Sequence, residues 1–428
     1  MSEVDVAIIG AGAAGLAAAA ALRGAGRRTL ILEAAAQPGG RARTTRPAAL
    51  GGAWLDEGAA WIHMAETNPV VPMAEARRVP LKKAFRNASL MFVQGRAATA
   101  TEHAEYDAAS ARWEAIVMAA PAVPDRALAA AIGPFRHENP WAPTIEAWEA
   151  SLIQSVDAPY LSLADFRLNQ LDGTNLMPPE GFGQLLLDLL LDSAGPIRVN
   201  CPATRIDWSG PHLRIDTPEG VVTAAQVIVT VSTGVLQAGG LRFTPSLPPQ
   251  TAQAIDDLPM GLLSKIVARA AGADRLGMTA TTHLFRRRES LSAPFLSTIA
   301  WPRGTDHVIA FVGGDAAWAV AEDPRAADSL FRAEWRAMLG SEADRIFAPG
   351  GFTTDWATDP HHLGAYSYAR PGAARARALL SEPVGEGRLL FAGEACRTDG
   401  TAGTVGGAVS DGRRAAAIIL GQEGTGHL

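Results

Sequence analysis

A glycine-rich turn between two short apolar segments, near residue 10, is the feature that most constrains the fold of this chain. Residues 4–9 are apolar and β-branched, which is typical of a strand buried on both faces of a parallel sheet. Gly10, Gly12 and Gly15 follow directly and open an alanine-rich segment of helical character. A second strand is predicted at residues 29–32. This β-α-β unit of about thirty residues predicts a Rossmann-like dinucleotide-binding fold.

Each of these glycines has a physical role in such a site. Gly10 permits the tight turn, Gly12 lets the backbone approach a pyrophosphate, and Gly15 lets the helix and the strand pack closely. The helix N-terminus offers unpaired N–H groups and a positive dipole end to the phosphates. Glu33 ends the second predicted strand, where a carboxylate can bind ribose hydroxyls and disfavours a 2′-phosphate. A glycine turn beside a solvated glutamate is the alternative, and the complete β-α-β context disfavours it.

A second glycine-arginine turn at residues 39–44 decides between FAD and NAD, which the first turn does not separate. Arginines such as Arg41 can neutralise pyrophosphate charge through paired hydrogen bonds. Gly39 and Gly40 let the chain pass close to a flat ring. The sequence therefore favours FAD.

Strand character of the nucleotide-binding kind returns near residues 198–231 and 388–392, with irregular segments between the three pieces. We predict an α/β fold in which a discontinuous, Rossmann-like FAD-binding domain carries an inserted substrate domain of mixed sheet and helix, of α+β type. The predicted bounds are 1–76, 196–240 and 384–428 for the FAD-binding domain, and 77–195 and 241–383 for the substrate-binding domain.

Charge and composition exclude several other classes of protein. The net charge is −6 and the basic residues are scattered, so no nucleic-acid partner is expected. Two cysteines, Cys201 and Cys396, give neither a disulfide framework nor a four-thiolate site, and no metal is expected. No segment approaches the roughly eighteen apolar residues of a membrane span. We expect a cytoplasmic protein with no membrane partner, either a monomer or a homodimer.

Six blocks in consistent order resemble the flavin-containing amine oxidase family, which includes monoamine oxidases, polyamine oxidases and histone lysine demethylases. The blocks are residues 6–15 with Glu33, 39–44, 56–63, 259–265, 364–372, and 390–394 with 403–415. The resemblance implies that the chain binds FAD and oxidises a small-molecule amine with O2 as the acceptor.

The resemblance also implies cofactor contacts beyond the two glycine turns. In such proteins the acidic residue matched by Glu394 lies near the ribityl chain and the pyrophosphate. The stretch matched by residues 403–405 places a helix N-terminus under the flavin carbonyl, where negative charge develops on reduction. The implied FAD-binding residues are Gly10, Gly12, Ala14, Gly15, Glu33, Gly39, Gly40, Arg41, Ala60, Trp61, Ala203, Trp356, Gly393, Glu394, Gly403, Thr404 and Val405.

Lys265 is the sharpest catalytic candidate. It lies inside an apolar strand, where an unpaired charge is costly. An arbitrary strand lysine would more often carry its head to solvent. In the family, however, a lysine at this place holds a water against flavin N5 and helps oxygen react, and the resemblance implies this role for Lys265.

Departures from the monoamine oxidase pattern bear on how FAD is attached and on the length of the substrate. The cysteine that links covalently to flavin in monoamine oxidases is matched here by Ala365, so FAD is expected to be non-covalent. Tyr366 is either one aromatic wall of a substrate cage or a packed core residue. Thr404 stands where those enzymes carry a second tyrosine, which opens the cage on one side and suits a longer substrate.

The segment that ends in Trp61-Ile62-His63 is similar to polyamine oxidases, which place this histidine at the tunnel near the flavin. His63 is therefore either an active-site or a core residue. L-Amino-acid oxidases carry an arginine where Trp61 stands, so a substrate carboxylate would lack its paired clamp. Because an amine must be neutral to give up a hydride, activity should rise with pH, and His63 is a candidate for a controlling residue.

The predicted reaction oxidises an amine to an imine, which hydrolyses to an aldehyde and an amine, while O2 becomes H2O2. A polyamine is favoured, with monoamines and cyclic alkaloid amines next. Carboxylates that could line a polyamine tunnel are Glu146, Glu149, Asp165, Asp172 and Glu180. A desaturase or porphyrinogen-type oxidase is the further alternative, but it has no need of Lys265. The third candidate function is that of a flavin-containing chromatin or binding protein.

Overall fold

The computed structural model describes residues 2–84 and 88–422 of the chain. In chain order the strands β1 to β21 are Ser2–Ile9, Thr29–Leu32, Thr44–Thr45, Leu55–Asp56, Lys82–Lys83, Ala88–Val93, Arg96–Ala97, Leu176–Met177, Ile197–Arg198, Arg205–Asp207, Leu213–Thr217, Gly220–Val229, Arg242–Thr244, Met260–Gly261, Leu263–Ala270, Thr282–Arg286, Ser297–Ala300, His307–Gly313, Phe347–Thr353, Tyr366–Ser367 and Leu389–Phe391. The helices α1 to α15 are Ala13–Gly24, Val70–Ala76, Ala100–Ala119, Leu128–Ile132, Phe135–Glu138, Ala142–Glu146, Leu163–Leu168, Phe182–Ala194, Thr233–Gln237, Pro249–Asp256, Asp315–Glu322, Pro324–Leu339, Ala343–Ile346, Ala376–Ser381 and Val405–Ile419. A π-helix spans Ala147–Leu152, and short 3₁₀ turns lie at Ala48–Leu50, Pro302–Gly304, Gly340–Glu342 and Glu394–Cys396.

The first large sheet has the strand order β13-β10-β11-β12-β1-β2-β9, with β21 paired to β12. β1 is parallel to both β2 and β12, and β12 is parallel to β21. Alternate residues of β1 point to opposite faces, so Val6 and Ile8 pack with α1 while Ala7 and Ile9 enter a second core. The predicted α/β class and the Rossmann-like β-α-β unit are thus confirmed.

The second large sheet, of order β19-β15-β18-β17-β16-β6-β7, supplies the other wall of the site. Period-2 alternation again separates its faces. Ile266 and Ala268 of β15 pack with Phe331 and Trp335 of α12 in one core. Lys265, the residue before Ile266, points to the opposite face of the sheet.

The predicted domain bounds remain a prediction, and one strand of the first sheet falls outside the bounds of the FAD-binding domain. β13 begins at Arg242, beyond the predicted boundary at 240, yet it pairs with β10 of the first sheet. A strand of three residues gives too short a pattern to be recognised in sequence.

Cys201 and Cys396 are free and buried. Within residues 2–84 and 88–422, no helix is both long and apolar enough to cross a membrane.

Helix α15 packs on α1 closely enough to require glycine at position 412. A Cβ built on Gly412 would lie 2.1 Å from the carbonyl oxygen of Ala14. We expect Gly412→Ala to lower the free energy of unfolding by about 1–3 kcal/mol, because the two helices must separate. Gly24→Ala is the matched control, since no atom lies within 4 Å of its Cβ. Urea denaturation of both variants measures the difference, and equal stabilities would contradict the packing described.

Candidate functional site

A cavity of about 890 Å³ lies between the two large sheets. One wall is built from the turns that follow the carboxyl ends of β1, β2, β12 and β21, which is where parallel α/β sheets bind ligands. The other wall comes from β15, β16, β17 and β18 of the second sheet. Among the predicted residues, Lys265, His63, Tyr366 and every cofactor residue except Gly15 line this cavity.

Gly15 packs directly against the first glycine turn. A Cβ at this position would lie 2.0 Å from the carbonyl oxygen of Gly10. The helix therefore approaches the turn too closely for any side chain there. Gly15 does not line the cavity, and this geometry fits its predicted role in helix–strand packing.

The two glycine turns meet at the start of α1. Gly39 N–H donates to Ala11 O at 2.9 Å, and Gly10, Gly39 and Gly40 have φ values of +103°, +120° and +59°. The N-cap of α1, Gly12, provides no side-chain cap, so first-turn N–H groups are left to a ligand. This is the arrangement that a pyrophosphate requires.

Glycine at position 12 keeps space open for a ligand and is not needed for the packing of the protein itself. A Cβ built there would have its nearest contact at 4.0 Å, with Gly40 Cα, which is an ordinary van der Waals distance. Its φ of −78° suits any residue. A side chain would therefore fit the protein but fill the space beside the helix N-terminus, so these residues fit the FAD expected from the sequence.

Glu33 is buried at the end of β2 and held by two backbone donors. Ala11 N–H donates to Oε2 at 2.6 Å, and Ala35 N–H donates to Oε1 at 2.8 Å. Each carboxylate oxygen retains a lone pair that can accept from a hydroxyl. The position suits the predicted binding of ribose hydroxyls.

Glu394 is buried in a hydrogen-bond network that includes Arg41. Its Oε1 accepts from Arg41 Nη1 at 2.9 Å and from Ser367 N–H at 3.1 Å, and its Oε2 accepts from Ser367 Oγ at 2.8 Å and Gly403 N–H at 3.2 Å. Burial alone would raise the pKa of Glu394, but Arg41 and Arg377 outweigh it and lower the pKa below its usual value. The sequence predicted both Arg41 and Glu394 as cofactor contacts, but it did not predict that they pair with each other. Because of this pairing, the charge of Arg41 is shared between the Glu394 carboxylate and any bound pyrophosphate.

Helix α15 presents its N-terminus to the cavity. Thr404 Oγ1 caps the helix by accepting from Gly407 N–H at 2.9 Å, and it donates to Thr401 O at 2.7 Å. Gly403, Thr404 and Val405 all line the cavity. The positive end of this 15-residue helix thus faces the ligand space, where it favours developing negative charge.

Lys265 is 4% exposed and lines the cavity. Its Nζ donates to Asp56 O and to Gly58 O, each at 2.6 Å. Burial lowers the pKa of Lys265 to about 8, against the opposing charges of Asp56 and Glu57. Because an ammonium has three donors, the two carbonyls leave one for a water in the cavity. These contacts fit the role predicted for Lys265, which is to hold a water against flavin N5.

Two tryptophans predicted to contact the cofactor, Trp61 and Trp356, lie near Lys265 and the segment that carries its carbonyl acceptors. The ring of Trp61 lies 6.0 Å from Lys265 Nζ. Trp356 is buried and donates its Nε1–H to Glu57 O at 3.2 Å, while the Arg43 guanidinium stacks 4.5 Å from its ring. Both line the cavity, as do Ala14, Ala60 and Ala203.

His63 lines the cavity and bonds to Asn175, a residue that sequence reasoning did not find. Its Nδ1 lies 2.8 Å from Asn175 Oδ1. Burial lowers the pKa of His63, and the Asn175 hydrogen bond opposes this shift only in part. His63 is therefore neutral at neutral pH, so its Nδ1–H donates to Asn175 Oδ1 and Nε2 is left as an acceptor. Lys265, with its pKa of about 8, is the better candidate for control at alkaline pH.

Tyr366 offers its ring, not its hydroxyl, to the cavity. The hydroxyl donates to the carbonyl oxygens of Leu152, at 3.1 Å, and Ile153, at 2.9 Å, where the π-helix ends. Burial raises the pKa of the phenol, so it stays neutral. The π-helix also places Trp148 in the cavity wall, a contact that the sequence did not reveal.

None of the five carboxylates suggested for a polyamine tunnel, all within the described residues, lines the cavity. Glu146 pairs with Arg136 at 2.6 Å, and Asp165 pairs with Arg377 at 2.7 Å. Asp172 and Glu180 are exposed to solvent outside the cavity. The fifth, Glu149, is partly buried on the π-helix.

Glu149 should reduce stability as the pH rises. Burial, aided by the charge of Glu114, raises the pKa of Glu149 to about 7 from 4.5. A carboxyl whose pKa is raised on folding stabilises the fold fully below the unfolded pKa, and this contribution is lost between about pH 4.5 and 7. Glu149→Gln should therefore raise the free energy of unfolding by about 1–3 kcal/mol at pH 8, with little change near pH 4.5. Urea denaturation at both pH values measures this, beside the exposed control Glu105→Gln; an equal effect of the two variants would be contrary to it.

Two family matches cover most of the chain. Residues 135–420 match the family described as flavin containing amine oxidoreductase. Residues 8–75 match the NAD(P)-binding Rossmann-like domain.

Curated relatives match along nearly the whole chain. Lysine-specific histone demethylase 1 homolog 1 of Arabidopsis thaliana is 26% identical, over 97% of this chain and 52% of the relative. Homolog 2 of Oryza sativa subsp. japonica is 29% identical, over 97% and 57%. Lysine-specific histone demethylase 2 of Homo sapiens is 26% identical, over 91% and 50%. The chain thus spans about half the length of the curated relatives it matches.

Solved structures of putrescine oxidase share the fold. The wild type bound to putrescine superposes with a TM-score of 0.81 at 20% identity, covering 98% of this chain and 99% of that one. A double mutant redesigned in its cofactor binding gives a TM-score of 0.82 at the same identity and coverage. At this identity the likeness shows the fold alone.

Proposed function

Because the chain belongs to the flavin-containing amine oxidoreductase family, we propose that it is an FAD-dependent amine oxidase. It oxidises an amine to an imine and reduces O2 to H2O2, and water then hydrolyses the imine to an aldehyde and an amine. The observation that carries the proposal is Lys265, a buried lysine held by two backbone carbonyls in the cavity that the glycine turns also line.

The residues that would hold FAD lie in the turns next to the first sheet and at the N-terminus of α15. The turns at Gly12 and Gly40 would take the pyrophosphate, Glu33 the ribose, and the N-terminus of α15 the flavin carbonyl. FAD, when bound, supplies the acceptor for a hydride equivalent and delivers two electrons to oxygen. We propose non-covalent attachment, because Ala365 stands beside Tyr366 and neither Cys201 nor Cys396 lines the cavity. Acid precipitation should leave all the flavin in the supernatant.

The chain's own groups then orient the amine and exclude bulk water. Trp61 and Tyr366 provide aromatic walls. His63 Nε2 can accept a hydrogen bond from the N–H of a neutral amine. The third donor of Lys265 holds a water beside the reacting centre. Positioning of this kind is the protein's main contribution to cofactor chemistry.

A steady-state assay tests the proposal. The purified yellow protein is mixed with polyamines, monoamines, cyclic amines, N-methyl-lysine peptides and amino acids, and oxygen consumption, peroxide and aldehyde are measured together. We expect one amine class to give peroxide and aldehyde in equal amounts. Aldehyde that stops at about one equivalent per flavin, without oxygen consumption, would mean that turnover needs an acceptor other than O2. No product from any amine would favour the desaturase-type alternative.

The finer expectations remain predictions. These are the polyamine preference, the monomer or homodimer, and the cytoplasmic location. The names of the curated relatives add a methylated lysine side chain as a candidate amine, which is why such peptides belong in the panel.

A further inference from the structure

We propose that this site selects amines with a single basic nitrogen and an uncharged tail, and that the hydroxyl of Ser297, held in place by His283, recognises a hydrogen-bonding group on that tail. The inference rests on the proposed amine oxidation and specifies its substrate class. It chooses the single-amine alternative over the polyamine favoured by the sequence.

The register of the second sheet places this pair at a distance from Lys265. Lys265 pairs with Phe311 across β15 and β18, and Phe311 pairs with Ser297 across β18 and β17. Their side chains therefore share one face of the sheet. Because neighbouring strands lie about 4.8 Å apart, Ser297 is roughly 10 Å from Lys265. His283, one strand further on β16, is roughly 14 Å away, and all four residues line the cavity.

The pair is a polar site built into an apolar wall. His283 Nε2 lies 2.8 Å from Ser297 Oγ, and His283 Nδ1 lies 3.2 Å from Ser89 Oγ, so both ring nitrogens are engaged within the protein. His283 and Ser297 are buried, with 1% and 5% exposure. The rings of Trp148 and Phe285 each lie 5.3 Å from the His283 ring. A hydroxyl has one donor and two acceptor positions, so Ser297 can bond to His283 and to a ligand together. The fitting group is a tail hydroxyl, ether or carbonyl.

The charges around the cavity disfavour a second ammonium. The carboxylates that line it are already bound: Glu33 by backbone N–H groups, Glu57 by Arg43 at 2.6 Å, and Glu394 by Arg41 at 2.9 Å. No described residue adds a carboxylate on the β15–β18 wall. Arg303, exposed at the cavity edge, adds a positive charge. A diamine would have to desolvate its second ammonium without a counter-ion, which is costly.

A matched substrate series tests the proposal on the holoenzyme. At each chain length, an alkylamine, its ω-hydroxy derivative and its diamine are compared by kcat/KM and by dissociation constant. The dissociation constants come from anaerobic titration calorimetry of the holoenzyme after its flavin has been reduced with dithionite, so that no amine can be oxidised during the titration. We expect the hydroxy-amine to bind about five- to tenfold more tightly than the alkylamine, which one hydrogen bond supplies. We expect the diamine to bind at least about tenfold more weakly than the alkylamine.

Ser297→Ala should reduce the hydroxyl preference to about one. The matched control is Thr298→Val, which removes a buried hydroxyl from the adjacent residue on the opposite face of β17 and should keep the preference. Diamines that bind as well as alkylamines, or a preference that survives Ser297→Ala, would overturn the proposal. Binding without product from every amine would instead count against the proposed function, because calorimetry reads tail selection without turnover.

Discussion

Replacing Lys265 by methionine is expected to slow the reaction with oxygen by about 100-fold or more, because the variant loses a preorganised charged donor in the cavity. Methionine preserves the length and apolar stem of the side chain. It removes the Nζ that bonds to Asp56 O and Gly58 O and the donor left for water. Anaerobic reduction by an amine, followed by mixing with oxygenated buffer, measures the return of the yellow absorbance.

The pH dependence of the same step sharpens this expectation. With a pKa of about 8, Lys265 is charged below that pH and neutral above it. A positive charge stabilises negative charge that develops on oxygen, so the oxygen step should slow as the pH rises through about 8. Reduction by the amine should accelerate over the same range, since the substrate must be neutral. Lys265→Met should abolish the first dependence and keep the second.

Lys82→Met is the control for loss of a lysine charge, because Lys82 and Lys83 are exposed and are the only other lysines of the chain. It should leave both steps unchanged. An oxygen step of equal rate in the wild type and Lys265→Met would remove the role assigned to this lysine.

Replacing Gly12 by alanine is expected to weaken FAD binding by about 100-fold or more, because the added Cβ occupies the space where the backbone must approach the pyrophosphate. The stability of the apoprotein should hardly change. The nearest atom to that Cβ is 4.0 Å away, and the backbone there is extended. Flavin content after purification, and titration of the apoprotein with FAD, measure the loss of affinity.

Gly24→Ala, at the other end of α1 with no neighbour within 4 Å, is the control that should retain FAD. Gly15→Ala should behave differently from both, because its Cβ would lie 2.0 Å from Gly10 O and the fold itself would be strained. A Gly12→Ala protein with full flavin content would mean that the dinucleotide does not lie against this turn.

Local patterns explain what the sequence could predict of the fold. The β-α-β unit is continuous along the chain, so its strand period, its helix and its turn glycines all appear within forty residues. The second strand lies at Thr29–Leu32, with the predicted bounds. β13 escaped because three residues carry no usable period, and the order of the strands in the second sheet depends on pairings between distant segments.

The same limit applies to the site. The sequence identified Lys265 but not its acceptors, Asp56 O and Gly58 O, which are backbone atoms 209 and 207 residues away. It identified His63 but not Asn175, whose amide has no distinctive pattern around it. His283 and Ser297 were missed for a related reason. They lie on two strands, β16 and β17, and which of their residues share a face with Lys265 depends on the register of these strands and β18.

The most direct test of an amine oxidase is an anaerobic titration of the purified holoprotein with single amines, read by the yellow absorbance of its flavin. We predict that an alkylamine with an uncharged tail bleaches the flavin completely and that admitting oxygen restores the colour with one peroxide per flavin. If every amine leaves the absorbance unchanged while dithionite bleaches it, the chain does not oxidise amines.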